Sequence, residues 1–340
     1  MLKAFVSAEM DYEVAKELEQ YLDITYDWGR PVLTVAQMKE YCCDKDIIIT
    51  SYDPVTKEVI DASPNVKMIV CTRSTPVNVD TAYAREKGIK VSYAVDRNSD
   101  CTAEFTIGLI LALTRKIGFA FKDLHDGKFV AGDIDEHGSE SAKRDVTWST
   151  GETSPYEYYK GYQLKGHSVG IVGFGGIGKR VAKILDAFGC KIYAVSASAK
   201  PEDLPEYVTL GTLEEVAPKV DILTVHLKDS PRTEKMINAD VFKSMKKTAF
   251  LINDSRGAVI DEDALIEALR TGEIAGAALD VYNTEPIAKS HPFFEMSDRV
   301  IITPHIAGAT WDAISNHTSE FVTDVKHFIN GEELEYEYKK

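Results

Sequence analysis

Ser168-Val169-Gly170-Ile171-Val172-Gly173-Phe174-Gly175-Gly176-Ile177-Gly178 is a short apolar run that passes directly into a glycine-rich turn. The residues from Ile177 onward, with Val181, Ile184, Leu185 and Phe188 at helical spacing, form one apolar stripe. Strand, Gly-x-Gly-x-x-Gly and helix in that order are the parts of a dinucleotide-binding turn. Gly173 permits the tight turn, Gly175 lets a pyrophosphate approach the backbone, and Gly178 lets the helix lie close to the strand. The first helical residues, Gly176 and Ile177, then offer free N–H groups to the phosphates.

Strand-like runs continue on the C-terminal side of this turn at Lys191–Val195, Ile222–His226, Ala249–Asn253, Gly276–Val281 and Val300–Thr303, most of them separated by helical patterns. This predicts a doubly wound parallel sheet, a Rossmann dinucleotide-binding domain over 102–308. On the N-terminal side, Lys3–Val6, Asp46–Thr50, Lys67–Cys71 and Ile89–Ser92 alternate with helical patterns such as Tyr12–Tyr21 and Asn78–Lys87. They predict a second α/β domain with a smaller doubly wound sheet. One helix is expected over about Thr102–Leu124, and a last one over Trp311–Asn330 that returns to the first domain. The domains are therefore 1–101 plus 309–340, and 102–308. Between about 127 and 165 the pattern gives way to a polar stretch ending Ser-Pro-Tyr-Glu-Tyr-Tyr-Lys-Gly, read as a long insertion: a subunit arm, an active-site cover or a solvated loop.

At the end of Lys191–Val195, where an acid would hold an adenosine ribose 2′-hydroxyl, the chain has Ser196, followed by Ala197, Ser198, Ala199 and Lys200. Losing the carboxylate removes repulsion against a 2′-phosphate, and Ser196, Ser198 and Lys200 can bind one. Both NAD and NADP remain open; the serines otherwise only finish the strand end.

Ligands of a doubly wound sheet sit at the carboxyl ends of its strands, and three chemically useful side chains lie there. Arg256 follows Ala249–Asn253, Glu285 comes five residues after Asp280 at the end of Gly276–Val281, and His305 follows Val300–Thr303. Hydride transfer to a keto carbon leaves negative charge on oxygen. A histidine beside a carboxylate supplies the proton, because the carboxylate favours the imidazolium. Arginine stays charged and its planar fork meets a carboxylate and a carbonyl together. Asp280 is placed to orient a nicotinamide carboxamide. Each residue alone also fits a bland role: a surface charge, a loop acid, a satisfied histidine.

Bulk properties narrow the partners. The chain of 340 residues carries a net charge of −15, which disfavours nucleic acid phosphates and anionic lipid. No secretory signal or membrane-length apolar run is read, so a cytoplasmic location is expected. The five cysteines, Cys42, Cys43, Cys71, Cys101 and Cys190, form no CxxC pair and suit neither a disulfide framework nor a zinc site; no metal is expected.

Seven segments, Cys71–Asp80, Arg97–Arg115, Val169–Leu185, Thr224–Ile237, Leu251–Leu269, Ala278–Pro286 and Thr303–Thr310, match in order and spacing, over nearly the whole chain. By them the sequence resembles the D-isomer-specific 2-hydroxyacid dehydrogenases. The resemblance implies a flavodoxin-like substrate domain, a catalytic set of Arg256, Glu285 and His305, and a small 2-keto acid or its (R)-2-hydroxy product as substrate. It adds cofactor contacts from Thr102, His226, Asp254, Ser255, Arg256, Asp280, His305 and the segment around Ala307 and Gly308. It also implies a substrate loop at Arg73–Val77, with Arg73, Ser74, Thr75 and Pro76 joined by Arg256 and His305, and a homodimer paired through the cofactor domains. Ser74 and Thr75 stand where related chains often have two glycines, and the long insertion and Ser196 are further departures. No regulatory domain is expected beyond the C-terminal helix.

The Gly166-His167-Ser168-Val169-Gly170 spelling of a hydrolase elbow is set aside, because Ser168 begins a strand instead of occupying a strand-to-helix turn. The alternative from another class is a nucleotide-sensing binding protein of the corepressor type, which shares this fold. Turnover of the nucleotide that depends on added hydroxy or keto acid separates the two.

Overall fold

The computed structural model describes residues 1–129 and 155–339. The core of the polar insertion, 130–154, lies outside the described residues, and so does any role for it. The chain forms two compact units, Met1–Cys101 with Gly308–Lys340, and Thr102–Ala307.

The first unit holds five parallel strands: β1 (Leu2–Ser7), β2 (Leu22–Tyr26), β3 (Ile47–Thr50), β4 (Met68–Cys71) and β5 (Lys90–Tyr93), ordered β2-β1-β3-β4-β5. This is the flavodoxin order, as expected. β3 and β4 are buried at every position, which explains their unbroken apolar spelling. β2 was not expected: it is an edge strand with only Leu22 buried, so it carries no apolar rhythm. The helix Trp311–Asn330 is capped by Thr310, whose hydroxyl accepts from Ala313 N–H, and ends at left-handed Gly331. Its Phe321, Val322 and Val325 pack with Ala4, Val6, Ile49 and Val70.

The second unit holds seven parallel strands: β6 (Ser168–Val172), β7 (Lys191–Val195), β8 (Val208–Leu210), β9 (Ile222–Val225), β10 (Phe250–Asn253), β11 (Gly276–Leu279) and β12 (Val300–Ile302). Their order is β12-β11-β10-β9-β6-β7-β8. The chain builds one side outward from β6, then crosses back and builds the other from β9, so the topological switch lies between β6 and β9. β8, three residues long with only Val208 buried, escaped the sequence reading.

The single helix expected over Thr102–Leu124 is corrected to two, Ser99–Thr114 and Ile117–His125. Lys116 adopts a left-handed conformation at φ 55°, which breaks the helical hydrogen-bond ladder. Tyr162 N–H takes up the Thr114 carbonyl at 2.9 Å. A Cβ on neighbouring Gly161 would lie 2.1 Å from that oxygen, so only glycine fits. The apolar pattern runs straight through the break and therefore conceals it. Before the break it is buried, at Ile107, Ile110 and Leu113; after it Ile117, Phe121 and Leu124 are more than half exposed. Among the described residues no helix is long and apolar enough to cross a membrane.

Candidate active site

The Gly173–Gly178 turn is built on close approach. Gly173 has φ 99°, and a Cβ there would sit 2.3 Å from the His226 carbonyl oxygen across the switch between β6 and β9. A Cβ on Gly178 would sit 2.2 Å from the Gly173 carbonyl oxygen, which fixes how tightly the helix Gly176–Ala187 folds back on its strand. A Cβ at Gly175 would meet nothing within 4 Å, and no side chain caps the helix start there. Open space above bare helical N–H groups is what a pyrophosphate needs. The residues fit the dinucleotide: Gly175, Gly176, Ile177 and Gly178 would hold its phosphates.

At the end of β7, Ser196 Oγ accepts from the N–H groups of Ala199 (3.1 Å) and Ser198 (3.4 Å), folding the loop back on itself. The acid that would bind a ribose hydroxyl is absent, as the sequence indicated.

Four strands further on, β11 is followed by Asp280, which is fully buried. Its Oδ1 accepts from Thr303 Oγ1 (2.5 Å) and Ile306 N–H (2.9 Å), and its Oδ2 from Ala307 N–H (2.8 Å). The Tyr282 hydroxyl donates to the Thr303 carbonyl at 2.8 Å. Asp280, expected at a nicotinamide carboxamide, thus spends both oxygens on the loop that carries His305. That loop holds His305 at φ 56°, a left-handed conformation that a non-glycine residue keeps only where its surroundings enforce it. His305 Nδ1 and Glu285 Oε2 are 2.6 Å apart, both partly exposed. Glu285 Oε1 is held by the N–H of Tyr282 (3.1 Å). With Nδ1 engaged, the edge of His305 left for a substrate is Nε2.

Arg256 follows β10 and is exposed, with its guanidinium donating to the Ser255 carbonyl at 2.6 Å. The turn that presents it is braced by Asn253, whose Oδ1 accepts from Ser255 N–H and Oγ and whose Nδ2 donates to the Arg256 carbonyl. The next residue, Gly257, abuts the Glu285 segment: a Cβ there would lie 2.0 Å from the Tyr282 carbonyl oxygen. The Arg256 turn and the Glu285 loop are therefore packed backbone to backbone. Sequence reasoning missed Asn253 and Tyr282 as supports. An Asn at the strand end, two residues ahead of Ser255 in the Asp-Ser-Arg-Gly turn, was the available signal.

Beneath this rim lie two buried groups that the resemblance offered as cofactor contacts. Asp254 and His226 are both shut off from solvent, with Asp254 Oδ1 3.4 Å from His226 Nδ1. Burial pushes the Asp254 carboxyl up to about 7 and the His226 imidazole down to about 3. An ion pair is thereby disfavoured, and both side chains stay neutral in acid to neutral solution. Thr102 is buried nearby, its hydroxyl 3.4 Å from the Ala307 carbonyl oxygen.

In the first unit the Arg73–Val77 loop follows β4. The Arg73 guanidinium lies over the Tyr52 ring at 4.8 Å, and Val77 N–H donates to the Thr75 carbonyl at 2.9 Å. Ser74 and Thr75 are part-exposed and Pro76 is buried. Gly308 also belongs to this unit, where a Cβ would lie 2.6 Å from the Asn98 amide nitrogen. Among the described residues no His, Cys, Asp or Glu group is arranged to hold a metal ion.

A glycine turn at the switch point of a Rossmann sheet, with Arg, Glu and His on the same rim, defines a nicotinamide-nucleotide oxidoreductase. The model of the D-isomer specific 2-hydroxyacid dehydrogenase NAD-binding domain matches residues 107–307. A glyoxylate reductase of Thermofilum pendens is 37% identical over 79% of this chain and 74% of its own. A Staphylococcus haemolyticus protein that carries a 2-hydroxyacid dehydrogenase name is 33% identical over 98% of both chains. The structure of a D-lactate dehydrogenase from Aquifex aeolicus, complexed with NAD and lactic acid, superposes with a TM-score of 0.71 at 26% identity, covering 97% of this chain and 96% of that one. The chain belongs to the D-isomer specific 2-hydroxyacid dehydrogenases. It is an oxidoreductase that exchanges hydride between a nicotinamide dinucleotide and a small 2-keto or 2-hydroxy acid, and nothing supports the corepressor alternative.

Proposed function

We propose that His305 donates the proton to the keto oxygen of a small 2-keto acid, or removes it from the (R)-2-hydroxy acid in reverse. In this reading Glu285 orients and charges the imidazole, and Arg256 binds the substrate carboxylate and carbonyl. The bound nicotinamide supplies or accepts the hydride. The observation that carries the reading is the 2.6 Å His305–Glu285 pair on the rim that also bears Arg256. Asp280 acts by shaping the loop of His305. Thr102, His226, Asp254, Ser255 and Gly308 are proposed neighbours of the nicotinamide half, and Arg73, Ser74, Thr75 and Pro76 a proposed carboxylate loop, on the resemblance.

Both NAD and NADP are retained as cofactors, since the end of β7 carries neither an acid nor an arginine. A glyoxylate-like or lactate-like acid is favoured by the names of the relatives. A homodimer paired through the second, cofactor-binding unit is proposed on the resemblance.

The test is reduced-nicotinamide absorbance with NADH and NADPH separately against glyoxylate, hydroxypyruvate, pyruvate, 3-phosphohydroxypyruvate and sugar-derived keto acids. Turnover that falls by about 10²–10⁴-fold in His305→Ala supports the assignment. Undiminished turnover in that variant refutes it.

A further inference from the structure

Asp254 is a buried ionisable group at this rim that the proton and hydride chemistry leaves unused. It directly follows β10, two residues before Arg256, its Oδ1 has no hydrogen-bond partner, and it is sealed from solvent. Its other oxygen, Oδ2, is 2.5 Å from Thr106 Oγ1, which is in turn 2.8 Å from the Thr102 carbonyl oxygen. A threonine hydroxyl has one proton, so it cannot donate to both acceptors at once. With Asp254 protonated, the carboxyl donates to Thr106 and Thr106 donates to Thr102. With Asp254 ionised, Thr106 turns its proton to the carboxylate and releases the Thr102 carbonyl. Thr102 lies against Ala307, two residues from His305.

The groups facing Asp254 sharpen its choice. His226, from the end of β9, is neutral by burial. Asp280, from the end of β11, opposes ionisation by like charge. The Arg256 guanidinium is turned to the Ser255 carbonyl on the exposed side. Ionised Asp254 therefore places an uncompensated negative charge beneath the ends of β9 and β10, next to the switch point, where a low dielectric carries its field.

We propose that Asp254 selects the oxidation state of the bound nucleotide: protonated it favours the reduced, uncharged nicotinamide, and ionised it favours the oxidised, cationic ring. This rests on the reading that the nicotinamide half binds at this rim. The oxidised ring favours the carboxylate, so the Asp254 proton leaves to solvent at lower pH in the oxidised complex than in the reduced one. Reduction of a keto acid is then promoted in acid solution and oxidation of a hydroxy acid in alkaline solution, beyond the effect of the proton consumed in the reaction.

The test is direct titration of NAD+, NADH, NADP+ and NADPH onto the substrate-free protein by calorimetry or quenching of tryptophan fluorescence, from about pH 5.5 to about pH 8.5. A difference of one pKa unit between the two complexes makes the ratio Kd(oxidised)/Kd(reduced) fall by about tenfold across that range. In Asp254→Asn the fall is lost. In Thr106→Val, which removes the hydroxyl that supports the carboxylate but keeps the carboxyl, its midpoint moves to higher pH; this variant carries the test where Asp254→Asn does not fold. In His305→Asn the fall persists. A flat ratio in the wild-type protein overturns the inference, as does a fall that survives in Asp254→Asn and vanishes in His305→Asn. Failure of the NAD and the NADP pair alike to bind the wild-type protein overturns the underlying reading and the inference with it.

Discussion

Single side chains on this rim divide into those aimed outward and those that aim them. Arg256, Glu285 and His305 could be picked out as candidates because arginine, glutamate and histidine after three successive strands have few common structural reasons to be there. Their supports were not legible. Asn253, Tyr282, Thr106 and Thr303 have ordinary identities, and only the folded chain brings them to the groups they hold. Glu285→Gln keeps the shape of the contact with His305 but not its charge. It is expected to lower kcat by roughly tenfold or more and to leave nucleotide Kd unchanged, as steady-state kinetics beside a binding titration will show. Ser196→Asp restores an acid at the end of β7 and is expected to weaken NADPH binding relative to NADH by about tenfold, roughly 1.4 kcal/mol. Competitive titration of the two nucleotides reads it, and an unchanged preference refutes the role given to Ser196.

Glu320 gives a separate pH prediction in the first unit. Burial pushes its carboxyl up from 4.5 to about 7, and its Oε2 lacks a hydrogen-bond partner. A carboxyl raised in the folded state binds its proton more tightly there than in the unfolded chain. Its contribution is complete below about pH 4.5 and is lost as pH rises toward about 7. In Glu320→Gln, the slope of denaturation midpoint against pH across that window should flatten; an unchanged slope removes Glu320 as its source.

Elements with a strong reason for their spelling were read correctly, and those without one were missed. β3, β4 and β6 are buried at every position and stand out as apolar runs. β2 and β8 lie at sheet edges, where half of each strand faces water and the apolar rhythm is gone. The break at Lys116 failed to show because the apolar positions keep helical spacing on both sides of it, although their surroundings change from core to solvent. Between elements, close backbone approach is the sensitive quantity. Gly257→Ala forces the Arg256 turn off the Tyr282 carbonyl. It is expected to cost about 1–3 kcal/mol of stability and to lower kcat/KM more than nucleotide affinity. Equal activity in the variant would show that the two segments need not touch.

Taken whole, two compact units make a single unfolding transition an unsafe assumption. The glycine turn, Ser196 and the three proposed catalytic residues all lie in Thr102–Ala307. A nucleotide at about 100 times its Kd is expected to stabilise that unit by about 2.7 kcal/mol. Calorimetry should then show one transition moving upward with nucleotide concentration. Transitions that never move would deny the second unit its binding role.

The exposed stripe Ile117, Phe121 and Leu124 has a consequence in colloidal terms. A net charge of −15 opposes association beyond the proposed dimer at neutral pH, but that repulsion fades toward the isoelectric point near 5.1, where the oily stripe is left unopposed. The chain then behaves as a patchy particle whose solubility minimum is set by charge but whose sticking point is one helix. Replacing Phe121 by glutamate should widen the range of acid conditions in which the protein stays in solution.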